Sequence, residues 1–135
     1  TVMNKIKKLT TLTLVLFISL ASMTAEAKND KTVTKARSSV ENASPDDWKV
    51  YAKSAQMLIR KNANMTEAKS WIEKSIEIKE TPSNLEIFGD YYVKNNLPKK
   101  ASAYYVKSML KLRENNPGCD VSKIQAKVID LGKMI

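Results

Sequence analysis

Residues 81–112 read TPSNLEIFGDYYVKNNLPKKASAYYVKSMLKL, and the reading of this stretch decides the fold. Thr81-Pro82 opens a helix: a hydroxyl suits the cap, and the fixed φ of proline suits the first turn. Leu85, Phe88, Gly89, Tyr92 and Val93 then recur at three- and four-residue intervals, the spacing of one helical face. Pro98 stands near the start of a second helix, whose inner face is Ala101, Tyr104, Tyr105, Ser108 and Leu112. The stretch is a helix–turn–helix unit.

Shifted by 33 residues without a gap, the chain superimposes on itself. Lys61-Asn62 falls on Lys94-Asn95, Ala68 on Ala101 and Lys74-Ser75 on Lys107-Ser108. Apolar positions agree as well: Ala52 with Leu85, Ala55 with Phe88, Ile59 with Tyr92, Trp71-Ile72 with Tyr104-Tyr105, and Ile76 with Met109. Self-similarity at this period marks stacked helical arrays. The pattern Leu85, Phe88-Gly89, Tyr92, Ala101, with Tyr105 and Ser108 behind it, resembles the tetratricopeptide repeat. In that pattern small residues let the two helices of a unit approach closely. The first unit departs from it, with Ala55-Gln56 in place of Leu-Gly and Ile59 in place of the aromatic.

Working outward, Ser44-Pro45-Asp46-Asp47 reads as the start of the folded region, with Ser44 as cap and an acid three residues on. Behind it Trp48, Tyr51, Ala52, Ala55, Leu58 and Ile59 form an apolar stripe, and Thr66 opens a helix facing inward with Ala68, Trp71, Ile72, Ser75 and Ile76. Asn115-Asn116-Pro117-Gly118 breaks the pattern. Asp120 then caps a last helix carrying Val121, Ile124, Val128, Leu131 and Ile135. The expected fold is all-α: two tetratricopeptide-like units, about 45–80 and 81–114, closed by a C-terminal cap helix, 120–135, in a short α-solenoid. A four- or five-helix bundle with a fortuitous repeat is the alternative.

Towards the N-terminus, Lys5, Lys7 and Lys8 precede fifteen uncharged residues, Leu9 to Met23, and Ala25-Glu26-Ala27 supplies a small-x-small cleavage pattern. Residues 1–27 read as a signal peptide cut before Lys28, which makes the protein periplasmic or secreted. The uncharged run is shorter than the ~17–25 residues of a membrane span; an uncleaved N-terminal helix would be the only link to a membrane. Residues 28–44 carry no helical stripe and read as a disordered leader.

Composition excludes much chemistry. The 135 residues include no histidine, one cysteine and three glycines. No histidine-based acid–base pair or zinc site can be built, no internal disulfide can form, and glycine-rich phosphate loops lack their glycines. Cys119, beside a helix start, has no histidine to act as its base. Glu73 with Glu77, and Glu86 with Asp90, are carboxylate pairs at i,i+4 spacing, better explained as solvated faces than as a glycosidase pair. No catalytic, cofactor or metal site is expected. After loss of residues 1–27 the charge falls from +9 to +7, since three lysines and one glutamate leave. Lys99, Lys100, Lys107, Lys111 and Arg113 lack interleaved aromatics, so nucleic acid is not the expected partner.

The resemblance implies a non-catalytic module that grips a protein or peptide, with a groove lined mainly by the first helix of each unit. Carried over by the 33-residue register, the groove residues are Lys53, Met57, Arg60 and Lys61 from the first unit and Glu86, Asp90 and Lys94 from the second, with Val50, Ser83 and Val93 beside them. Such a groove would be basic on one side and acidic on the other. Met57 stands where relatives with a carboxylate clamp carry asparagine. The alternative function is a structural accessory subunit of an envelope complex.

Overall fold

The structure, a computed structural model, describes residues 31–134, and all regular structure among them is helical. Helix α1 occupies residues 31–41 and is followed by α2 (Trp48–Lys61), α3 (Met65–Ile78), α4 (Pro82–Lys94), α5 (Pro98–Asn115) and α6 (Ser122–Gly132). The signal-peptide reading of residues 1–27, its cleavage point and Ile135 lie outside the described residues.

From α2 onward each helix packs on the next, most extensively α2 on α3 and α4 on α5, and α2 also touches α4. The 33-residue self-similarity has a physical counterpart. Ser75 Oγ donates to the Trp48 carbonyl at 2.8 Å, and Ser108 Oγ donates to the Pro82 carbonyl at 2.7 Å. In each case a fully buried serine ties the second helix of a unit to the first turn of its partner. Ala68 and Ala101 are both fully buried, as are Ile72 and, nearly, Tyr105 at the next matched position. The ends of α2 and α4 are built alike, though one residue out of that register, since the shift places Asn62 on Asn95. Asn62 (φ 51°) and Asn96 (φ 56°) take the left-handed conformation that usually calls for glycine. The following N–H groups of Ala63 and Leu97 reach back to the Leu58 and Tyr92 carbonyls. Asparagine thus serves where a glycine-poor chain needs left-handed turns.

Several helix starts differ from the sequence reading. Helix α2 is capped by Asp47, whose side chain accepts from the N–H groups of Lys49 and Val50; Ser44 instead donates to Asp46. Pro45 therefore precedes the helix and does not begin it. Helix α3 begins at Met65, after Asn64 in the left-handed region, one residue before Thr66. Thr81 caps α4 as expected, in a reciprocal box with Asn84. The last helix is shorter than 120–135, and Asp120 accepts from Ser122 N–H just ahead of it.

The larger correction concerns the leader. Residues 31–41, inside the stretch expected to be disordered, are helical, and Val33 and Ala36 are buried in the main core. Arg37 also pairs with Glu67 of α3 at 2.9 Å. Short apolar side chains suffice here because they meet other small residues, Ala52, Ala55 and Ala68, in the same cluster. That cluster also holds Leu58, Ile59, Ile72 and Phe88. Each fully buried leucine or isoleucine contributes about 1.5–3 kcal/mol of transfer free energy. A second, smaller cluster joins Ala101 and Tyr105 to Ile124 and Leu131 of α6.

Gly89 faces the ring of Tyr105. A Cβ added to it would collide with two ring carbons and lie 3.1 Å from Tyr105 Cζ. On the neighbouring side Phe88, Tyr92 and Tyr104 form a ring cluster with centroid separations of 4.5–5.3 Å.

Candidate binding groove

Lys53, Met57, Arg60 and Lys61 follow one another at spacings of four, three and one along α2, so they share a face. That face looks away from the core side, where Ala52, Ala55, Leu58 and Ile59 are buried. With Gln56, the four expected residues line one hollow of about 460 Å³. A second hollow of about 270 Å³ lies between α2 and α4, lined by Gln56, Ile59, Arg60, Ile87, Asp90, Val93 and Lys94. Gln56 and Arg60 line both, so the two hollows adjoin, one along α2 and one between α2 and α4, and together make the candidate trough. Six of the seven expected groove residues line it.

Glu86 is the seventh, and it lines neither hollow. It accepts from Lys127 of α6, Nζ to Oε1 at 2.7 Å. The same ammonium donates to Asp90 Oδ1 at 2.8 Å, and the Tyr105 hydroxyl donates to that oxygen at 2.6 Å. Lys127 Nζ also sits over the Tyr105 ring, 5.0 Å from its centroid. Both carboxylates of the expected acidic side are therefore engaged within the chain. The acidic side is not free as expected: α6 delivers one lysine to the two carboxylates and offsets one of their two charges.

The joint also perturbs its own titrations. Burial alone would lower the Lys127 pKa, but hydrogen bonds to Asp90 and Glu86 outweigh it and the pKa is raised. Burial, followed by the hydrogen bond to Asp90, holds the Tyr105 phenol above its ordinary range. By contrast Lys53, Arg60, Lys61 and Lys94 make no ion pair among the described residues.

Sequence reasoning missed Gln56, Ile87 and Lys127. Gln56 stands, by the 33-residue shift, where Gly89 stands in the second unit; a polar residue at a position that calls for a small one was the available signal. Lys127 gave none, since its partners lie 37 and 41 residues away. Cys119 is a free, half-buried thiol outside the trough. Among the described residues no group of three or more cysteine, aspartate or glutamate side chains is placed to hold a metal ion. Compared with known protein families, curated proteins and solved structures, the chain shows no significant match.

Proposed function

We propose that the chain is an exported, non-catalytic module of tetratricopeptide type that holds a protein or peptide along the trough between α2 and α4. One observation carries the reading: two helices in matched register line a trough of two adjoining hollows whose four cations have no ion-pair partner among the described residues. Repeated serine–carbonyl bonds and matched burial support the repeat assignment. Stacked helix pairs offer such surfaces to extended ligands. The test is a photo-crosslinking amino acid at Met57, in the trough, or at Ala103, exposed on α5. Protein adducts formed from position 57 and not from 103 are expected in extracts of the native envelope. Equal labelling from both, or none from either, would overturn the reading. Mass spectrometry of the native protein tests export: a chain starting at Lys28 is expected.

A second reading, an accessory subunit of an envelope complex, draws on a different surface. Val106 and Leu110 of α5 are exposed beside a hollow of about 260 Å³ shared with Met109, Arg113 and Gln125, and Ile129 of α6 is exposed too. Leu110→Glu with native size measurement tests it; a complex that stays intact counts against this reading.

A further inference from the structure

We propose that the trough takes an acidic peptide segment, whose side-chain carboxylates bridge Arg60 to Lys53 and Lys61 on one side and to Lys94 on the other. This rests on the protein-binding reading above and names the chemistry of the partner. Elsewhere several exposed lysines pair with acids, Lys69 with Glu73, Lys74 with Glu77, Lys111 with Glu80 and Glu114, Lys133 with Asp130, while others, Lys99, Lys100 and Lys123 among them, make no ion pair among the described residues. What sets the trough apart is that four cations without an ion pair line one hollow surface. Its one acid among the described residues, Asp90, is held through Oδ1 by Lys127 and Tyr105, so four cations line the trough against a single, already engaged carboxylate.

Lys53 and Arg60 are two helical turns apart, about 10 Å along the axis. That spread suits several side-chain carboxylates along a segment better than a single terminal one. Between the cations the lining is apolar: Met57 in the first hollow, and Ile59, Ile87 and Val93 in the second. An acidic segment with interspersed leucine-like residues matches both features, and methionine adapts to irregular apolar contacts. Among the described residues the lining contains no aromatic ring and so no stacking platform for nucleobases. A bilayer headgroup plane cannot follow a concave trough as a peptide can.

The experiment uses the chain from Lys28 and a dye-labelled peptide of repeated Glu-Glu-Leu triplets, read by fluorescence anisotropy. Binding that weakens steeply with salt is expected. The matching Gln-Gln-Leu peptide should bind at least about tenfold more weakly, as should the Glu-Glu-Leu peptide to Arg60→Gln, since a charge-assisted hydrogen bond is worth about a factor of ten or more. Lys99→Gln, an exposed lysine outside the trough, should leave binding unchanged. Circular dichroism confirms that each variant is folded. Equal affinity for the two peptides, or stronger competition by oligothymidylate or phosphatidylglycerol vesicles, would overturn the proposal. Crosslinking at Met57 without acidic-peptide binding sinks this inference alone; absence of both sinks the protein-binding reading with it.

Discussion

Asn84 is fully buried and uses its whole amide. Its Oδ1 accepts from Thr81 N–H at 2.9 Å, and its Nδ2 donates to Ser75 Oγ at 3.0 Å and to the Lys79 carbonyl at 2.7 Å. Ser75 Oγ passes the connection on to the Trp48 carbonyl, so one side chain links the starts of α4 and α2 through the end of α3. No buried side-chain nitrogen or oxygen among the described residues lacks a partner, and Asn84 is one reason. Asn84→Ala would leave a buried N–H, carbonyl and hydroxyl short of partners, at about 1–3 kcal/mol for an unsatisfied group. For a domain of this size the melting temperature should fall about 4–8 °C per kcal/mol. A change below about 0.5 kcal/mol, the range of ordinary surface substitutions, would show that the network is not holding the helices together.

At the scale of the helices, matched register makes a sharper comparison possible. Ala101 of α5 is fully buried in the smaller cluster, which holds Ile124 and Leu131 of α6 and has Tyr92 of α4 packed against it, while Ala103, two residues on, is exposed. The same substitution at both sites therefore separates packing from helix propensity. Ala101→Leu should cost about 1–3 kcal/mol by overpacking, and Ala103→Leu should leave thermal unfolding nearly unchanged. Equal shifts by circular dichroism would mean that the packing around Ala101 is misplaced. Helices α4 and α5 were legible in the sequence because Thr81-Pro82 and Pro98 punctuate long apolar stripes. Helix α1 was not. Its stripe is Val33, Ala36 and Val40 among lysines, serines and threonines, and it matches the repeat only at a shift of 32, where these fall on Met65, Ala68 and Ile72. A stripe that weak identifies a helix only once the small-residue core it packs against is known. The groove was legible by register on the α2 side; its electrostatics were not, because they depend on where α6 docks.

Across the whole molecule the core is divided, and the division sets what moves first. Helix α2 contributes Ala52, Ala55, Leu58 and Ile59 to the main cluster, whereas α6 contributes only Ile124 and Leu131 to the smaller one. Elements with few buried apolar contacts open at lower free energy. Amide hydrogen exchange at neutral pH should therefore be faster in α6 than in α2 and α4, and uniform protection would contradict the division. What α6 lacks in apolar contact is supplemented by Lys127 against Glu86 and Asp90 of α4 and the Tyr105 ring of α5. Lys127 and Tyr105 both have raised pKa values in the folded state, so both favour the protonated form there. Their contribution is complete below the unfolded values, about pH 10, and is lost as the pH climbs through the folded ones. Losing positive charge elsewhere on this basic chain relieves self-repulsion and acts in the opposite direction, so the comparison must be with a variant lacking the joint. Between about pH 8 and pH 11, thermal stability should fall more steeply in the parent chain than in the double variant Lys127→Met, Tyr105→Phe. Parallel slopes would mean that the joint does not hold α6.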